Sequence, residues 1–105
     1  MERLYYTISE VAEMLGEKAS LVRYWSNEFS KELKIHRTGR GDRRYTAEDI
    51  ETLKQIHYLT NVRGLTLEGA AKALREDRRG VDKSVKAIET LREIRAQLVE
   101  VKESL

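Results

Sequence analysis

Residues 11–29, VAEMLGEKASLVRYWSNEF, decide the fold, because they read as two short helices joined by a tight turn. Ala12, Gly16 and Val22 stand at offsets of 0, +4 and +10. A small residue on the first helix lets the second approach, and a glycine after it supplies the left-handed conformation that turns the chain. A branched apolar residue on the second helix then packs the pair together. The pattern is typical of a helix-turn-helix, with an ordinary αα-hairpin as the alternative.

The second helix of this pair has an apolar side and a polar side. Val22, Trp25 and Phe29 recur at helical spacing and are expected to face the core. The opposite side carries residues that can meet phosphates and base edges. The candidate DNA-binding residues on this side are Lys18, Ser20, Arg23 and Tyr24.

Capping boxes mark two of the predicted helix starts. Thr7 is followed three residues later by Glu10, and Thr46 by Asp49. At this spacing the hydroxyl accepts the backbone N–H of the acid, whose carboxylate reaches back to the start of the helix. We expect the first helix to run to about Leu15, the second over 19–29, the third from Thr46 towards Gly64, and a fourth from Leu65 or Thr66. The third helix has its apolar stripe at Ile50, Leu53, Ile56 and Leu59.

A basic segment follows the first two helices. Residues 31–45, KELKIHRTGRGDRRY, hold six basic and two acidic residues, a local charge of +4 in a chain whose net charge is +2. The turn signal at 39–42 separates two short segments, 35–37 and 43–45, which we expect to pair as a hairpin.

This predicted hairpin must lean on the helices, because two strands alone are marginally stable. Leu33, Ile35 and Tyr45 are its expected anchors. Beside a helix-turn-helix, a basic hairpin is typical of a wing that contacts backbone phosphates, whereas a solvated charged loop is the alternative. The candidate DNA-binding residues of the wing are Arg37, Arg40, Arg43, Arg44 and Tyr45.

The C-terminal part predicts one long helix with a narrow apolar seam. A polar break at 76–80 precedes it, and Asp82 is the expected N-cap. About 24 residues would extend roughly 36 Å, which is too long to pack wholly on so small a domain. We therefore expect a dimerising coiled coil, with a helix packed on its own chain as the alternative. The seam residues, spaced 3-4-3-4, are Leu91, Ile94, Leu98, Val101 and Leu105.

Composition excludes several classes of protein. The chain has 105 residues, of which 36% are charged and 40% hydrophobic, which is enough for one small domain with an extension. From the helix-turn-helix, the wing and the seam, we expect a DNA-binding domain at 1–76 and a linker with the dimerisation helix at 77–105. No apolar run approaches the ~18 residues of a membrane span, and the first residues do not resemble a secretory signal, so a cytoplasmic protein without membrane contact is expected. There is no cysteine, and His36 and His57 lie far apart, so no metal or cofactor is expected. His57 is expected to be structural.

The motifs of residues 6–74 together resemble the MerR family of winged-helix transcription regulators. Each motif is weak alone, but several occur in the right order at the right spacing. The Arg-Tyr-Trp and Glu-Gly-Ala versions look closest to a branch of small bacterial regulators without a large effector domain. The matching segments are 6–12 (YTISEVA), 21–25 (LVRYW), 37–45 (RTGRGDRRY), 48–50 (EDI) and 65–70 (LTLEGA).

The resemblance implies a mainly α fold, in which a winged helix-turn-helix DNA-binding domain with a two-stranded wing is followed by a long dimerisation helix. It implies a homodimer whose last helices form an antiparallel coiled coil and whose recognition helices enter successive major grooves of a pseudo-palindromic operator. The implied partners are double-stranded DNA and, as a further candidate, RNA polymerase at a promoter. By position, Arg23 and Tyr24 match DNA-facing residues of the recognition helix, and Arg37, Arg43, Arg44 and Tyr45 match the wing.

Two departures from the family pattern limit what can be carried over. Helix 2 often starts with a Ser-Pro-Arg-like sequence, and here Lys18, Ala19 and Ser20 remove the usual cap and replace an arginine that could read guanine. The base preference of relatives therefore cannot be copied. The second departure is at the C-terminus, where these 105 residues contain neither the cysteines of metal-sensing relatives nor the further domain of drug-sensing ones. A small regulator and a part of a longer protein are the two alternatives.

Two other functions compete with transcription regulation. One is an excisionase-like architectural or recombination accessory protein, which usually lacks a long dimer helix. The other is a coiled-coil protein-interaction module for which DNA is irrelevant. An enzyme is the poorest interpretation, because the sequence offers no nucleophile–base pair and no phosphate-binding loop.

Overall fold

The computed structural model describes residues 3–104 and has the expected mainly α architecture with a two-stranded wing and a long last helix. The predicted fold class is confirmed. No helix within the described residues has an apolar stretch long enough to cross a membrane. The elements are α1 (Ile8–Leu15), α2 (Ala19–Glu28), β1 (His36–Arg37), β2 (Arg43–Arg44), α3 (Ala47–His57), a π-helical segment (Tyr58–Val62) and α4 (Leu67–Ser104).

The helix-turn-helix forms as its sequence pattern predicts. The Thr7 hydroxyl accepts the Glu10 N–H, and the Glu10 carboxylate accepts the Thr7 N–H, so the capping box at the start of α1 is confirmed. Gly16 adopts φ 68° and ends α1 in the left-handed conformation that glycine takes most easily. Ala12 and Val22 are both buried in the core that α1 and α2 share.

The start of α1 makes stability depend on pH. Arg3 donates to the Glu10 carboxylate, and this hydrogen bond, with the Thr7 N–H, lowers the pKa of Glu10 to about 2. A carboxyl whose folded pKa lies below its unfolded value stabilises the fold above the unfolded pKa, and this contribution is lost as the pH falls towards the folded pKa. We expect Glu10→Gln to lower the urea midpoint at pH 6 and to have almost no effect near pH 2.

Urea unfolding at a series of pH values between 6 and 2 measures this effect. Glu13→Gln is the matched control, because Glu13 is an exposed carboxylate on the same helix. A difference between Glu10→Gln and wild type that stays constant over the whole series would show that the Glu10 carboxylate does not contribute in this way.

The centre of the core is the apolar stripe of α3. Leu53, Ile56 and Leu59 are fully buried, as predicted. The helix does not continue as an α-helix to Gly64, however, because residues 58–62 form a π-helical turn that the sequence analysis missed. The Thr60 hydroxyl donates to the carbonyl of Ile56 at 2.9 Å, and such back-bonding often accompanies a bent or widened helix.

The predicted polar break between the fourth and last helices is reduced to a single residue. Asp77 has φ −148° and ψ 55° within α4. The prediction that Asp82 caps the last helix is wrong, because Asp77 Oδ1 accepts the Gly80 N–H at 3.2 Å instead. A side chain at position 80 would collide with the Asp77 carboxylate, so glycine leaves room for this cap. Asp82 lies inside the helix and accepts from Gln55 and Lys86.

The last helix begins on the core and then projects from it. Val81 and Val85 are buried, so the hydrophobic core continues beyond residue 76. Lys54 on α3 forms an ion pair with Glu89, with 3.0 Å between Nζ and Oε1. Residues 90–104 are exposed throughout. Four residues of the predicted seam, Leu91, Ile94, Leu98 and Val101, stand on this projecting part, whereas Leu105 lies outside the described residues.

Candidate nucleic-acid interface

The wing is an antiparallel pair in which His36 lies opposite Arg44 and Arg37 opposite Arg43. A third segment extends its base, because Tyr6 and Tyr45 exchange two backbone hydrogen bonds of 2.8 and 2.9 Å. The predicted hairpin is therefore confirmed, and the chain just before α1 pairs with it.

One buried carboxylate holds both ends of the hairpin. Asp49 is only 2% exposed. Its Oδ1 accepts the Lys34 N–H at 2.7 Å, before β1, and its Oδ2 accepts the Thr46 N–H at 3.0 Å, after β2. Hydrogen bonds to an ionised acceptor are among the stronger ones in proteins. The position of the wing is thus fixed by the first turn of α3.

Tyr45 lies in the core and does not face solvent. The residue is 0% exposed, and its hydroxyl is 2.8 Å from the Ser26 hydroxyl, which donates to the Val22 carbonyl at 2.7 Å. The prediction that Tyr45 anchors the wing is confirmed. The prediction that it contacts DNA is wrong in this conformation, because its ring packs against α2 and is closed off from any ligand. Leu33 is also buried, and Ile35 is partly buried against the core.

The tip of the wing is an ordered turn. The Thr38 hydroxyl accepts the N–H groups of Arg40 and Asp42, and the Thr38 N–H donates to the Asp42 carbonyl at 2.9 Å. The Arg37 guanidinium donates to the Gly41 carbonyl at 3.0 Å. Arg40 is exposed at the end of the turn. The tip therefore presents charge on a backbone that is already folded.

The two arginines of β2 use their guanidinium groups within the protein. Arg43 donates to the Arg23 carbonyl at 3.1 Å and to the side chain of Asn27, both on α2. Arg44 donates to the carbonyl of Arg43 at 3.1 Å. Both residues are half-buried. The basic motif identifies these arginines, but nothing in its pattern predicts that they have partners inside the fold.

The exposed face of α2 carries the predicted recognition residues. Lys18, Ser20, Arg23 and Tyr24 are all exposed. Lys18 is the N-cap residue and has no acceptor atom, so no side chain caps the first turn of α2 in the described chain. The uncapped N–H groups and the positive end of the helix dipole suit an anion.

An open cleft separates the wing from α1 and α2. Arg23, Arg37, Arg43 and Arg44 line it, with Asp42 as the acidic residue among its described lining. Positive charges on several walls of a cleft raise the local concentration of a polyanion. Arg23 places part of the cleft wall on α2, the helix whose N-terminus is uncapped, and these two features are together called the basic surface.

His57 has the predicted structural position. Its Nε2 lies 3.0 Å from Glu17 Oε1, and its ring meets the edge of Trp25 at a centroid distance of 5.8 Å. These contacts tie the turn of the helix-turn-helix to the end of α3. Among the described residues, no group of three His, Cys, Asp or Glu side chains is arranged to hold a metal ion.

The fold and this surface define a winged helix-turn-helix protein. A family model described as "MerR HTH family regulatory protein" matches residues 6–77. The match covers more than half of the chain, and the chain therefore belongs to the MerR family of helix-turn-helix regulatory proteins.

Two curated relatives agree with this assignment. The regulator protein TubY of Clostridium botulinum C phage is 36% identical over 89 residues, which are 85% of this chain and 37% of TubY. The HTH-type transcriptional repressor CarH of Myxococcus xanthus is 35% identical over 80 residues, which are 76% of this chain and 26% of CarH. The chain thus spans only a minor part of the length of either relative.

Two solved structures share the fold. HiNmlR, a MerR family regulator lacking the sensor domain and bound to promoter DNA, superposes with a TM-score of 0.60 at 24% identity, covering 95% of this chain and 77% of HiNmlR. A MerR family transcriptional regulator from Bacillus thuringiensis superposes with a TM-score of 0.57 at 22% identity, covering 96% of both chains. The likeness spans nearly the whole chain and includes the projecting helix.

Proposed function

We propose that the chain is a DNA-binding transcription regulator that acts as a homodimer on a pseudo-palindromic operator. The observation that carries this proposal is the basic surface, which comprises the uncapped N-terminus of α2 and the cleft lined by four arginines. A helix end fits the major groove, and a basic hairpin beside it fits the neighbouring phosphates. Family membership and the promoter DNA bound to HiNmlR support the same function.

The residues divide between affinity and base recognition. Arg23, Arg37 and Arg40 carry charges exposed beside α2 and the wing, and Arg44 lines the cleft, so these arginines would hold phosphates and set the salt dependence of binding. Ser20 and Tyr24 offer hydroxyl groups on the exposed side of α2. A serine can donate or accept and so discriminates poorly between bases. We infer that the base preference of this recognition helix is particular to this chain and cannot be taken from its relatives.

The projecting part of α4 supplies the proposed dimer contact. Leu91, Ile94, Leu98 and Val101 expose large apolar side chains along one seam. A row of this kind is typically covered by another helix, because its burial stabilises the pair. A second copy of the chain is the proposed partner, in an antiparallel coiled coil, and RNA polymerase is a further proposed partner at a promoter.

DNA binding measured at several salt concentrations tests the proposed function. Genomic fragments selected by the wild-type protein should contain an inverted repeat with a fixed spacer. The logarithm of the binding constant of the dimer should fall linearly with the logarithm of the salt concentration. Arg40→Ala should reduce the slope by about 1.8, because the dimer loses one phosphate contact in each subunit. Arg79→Ala removes the same charge from an exposed position on α4, outside the wing and α2, and should leave the slope unchanged.

The competing functions predict different outcomes. A protein-interaction module would show no retention on DNA at low salt, which would overturn the proposal. DNA binding by a species of one-chain mass would favour an excisionase-like accessory protein. Equal slopes for wild type and Arg40→Ala would remove the tip of the wing from the interface.

A further inference from the structure

The Arg43 side chain links the wing to the recognition helix. Its two donated hydrogen bonds reach the Arg23 carbonyl and the Asn27 side-chain oxygen, which are one helical turn apart on α2. A guanidinium has its donors in a rigid planar fork, so two acceptors on one helix fix its position in a way that a single point charge cannot. Arg43 is separated in the sequence by 20 positions from Arg23 and by 16 positions from Asn27.

A second link joins the same two elements. Tyr45 and Arg43 are two residues apart and so lie on one face of the strand. The Tyr45 hydroxyl meets Ser26 of α2 at 2.8 Å. Arg43 and Tyr45 thus attach one edge of the wing to residues 23–27 of the helix. Asp49 holds the two ends of the hairpin from α3.

We propose that Arg43 is a positioning residue, which fixes the wing against the recognition helix and does not itself hold a phosphate. The inference rests on the proposed DNA binding. Two of the five guanidinium N–H donors of Arg43 are engaged by α2, which fixes the side chain against the helix, whereas the Arg40 guanidinium at the wing tip is exposed. Arg43 then sets the distance between the helix in the groove and the charges that meet the flanking backbone.

The same contact fixes the orientation of Asn27, a residue type that can read a base. Asparagine is a common reader of adenine, because its amide can both donate and accept. Asn27 is exposed on α2, but its oxygen accepts from Arg43. Because this bond directs the Asn27 amide towards the wing, we assign base recognition to the first turns of the helix, at Lys18, Ser20 and Tyr24.

A double-mutant cycle between Asn27→Ala and Arg43→Ala tests this inference. Both variants and their combination are measured for affinity to the selected operator and for the salt slope. Asn27→Ala changes no charge, yet we expect it to weaken binding about tenfold and to flatten the slope, because the wing arginines lose their alignment. Arg43→Ala should add almost nothing in the Asn27→Ala background. Lys18→Ala is the control, because Lys18 is exposed at the start of α2 and does not belong to the wing, so its effect should be the same in both backgrounds. The effect of Arg40→Ala, at the wing tip, should be smaller in the Asn27→Ala background.

Arg43→Lys separates positioning from direct contact in a second way. Lysine keeps the charge but cannot span two acceptors as the planar fork does, so a positioning role predicts that Arg43→Lys binds as weakly as Arg43→Ala. The inference is overturned if Arg43→Lys restores binding. It is also overturned if Arg43→Ala lowers the slope by about 1.8, one phosphate contact per subunit of the dimer, while Asn27→Ala leaves it unchanged. Absence of wild-type binding at low salt would instead overturn the proposed function, and this inference with it. Urea unfolding of each variant verifies that the compared proteins are folded.

Discussion

Leu98→Lys is expected to convert the dimer into a monomer and to weaken operator binding by at least about 100-fold, the lower end of the gain that linked binding sites provide. Leu98 is 64% exposed in the single chain and lies between Ile94 and Val101 along the seam. In the proposed coiled coil this leucine is covered by the partner helix. A lysine at the same position would bury a charge without a partner, which opposes assembly.

Sedimentation at micromolar concentration measures the conversion of dimer to monomer, and titration with operator DNA measures the loss of affinity. Ala96→Lys is the matched control, because it introduces the same residue on the exposed projecting helix, two positions away and therefore near the opposite side from Leu98. The control should remain dimeric and bind normally. If both variants have the same mass as wild type, the seam is not the dimer contact.

Phe29→Ala is expected to destabilise the fold by about 4 kcal/mol, within the range for truncating a buried aromatic residue. Phe29 is 1% exposed and belongs to the core cluster with Trp25 and Tyr45. Its removal would leave a cavity at the end of α2, where the wing is attached. A total stability of roughly 5–15 kcal/mol is usual for a domain, so the loss would be a large fraction of it.

Urea unfolding followed by fluorescence measures this loss, because the chain contains one tryptophan, Trp25, within the same cluster. The protein concentration must be equal in all samples, since dimerisation contributes to apparent stability. Tyr24→Ala is the control, as Tyr24 is 47% exposed on the same helix. It should change stability by no more than about 0.5 kcal/mol while weakening DNA binding. A similar midpoint for Phe29→Ala and wild type would contradict the assigned core.

The features that the sequence predicted correctly are those set by neighbouring residues. A capping box needs a hydroxyl and an acid three positions apart, and the boxes at Thr7 and Thr46 both form. The turn at Gly16 and the stripe of α3 depend on spacing along one or two helices. These signals are local, so one sequence is enough to find them.

The predictions from sequence were wrong where a contact with a residue far away in the sequence determines which of two chemically similar residues has a given role. Asp77 and Asp82 are equally good caps by composition, but Gln55 on α3 donates to Asp82, and Gly80 leaves room for Asp77. In the wing, a basic motif predicts exposed charge, whereas α2 supplies partners to Arg43 and Tyr45. No spacing rule in the sequence predicts the π-helical turn after His57.

The break at Asp77 has a consequence for the choice of operator. The helix beyond it extends over about 27 residues, or roughly 40 Å, so a change of about 10° in its direction would move its far end by about 7 Å. That distance corresponds to about two base pairs along DNA. In the proposed dimer, the bend and the buried Val81 and Val85 therefore determine which spacer length between half-sites the two subunits can bridge. Tolerance for spacer length would then be encoded at residues that never touch DNA.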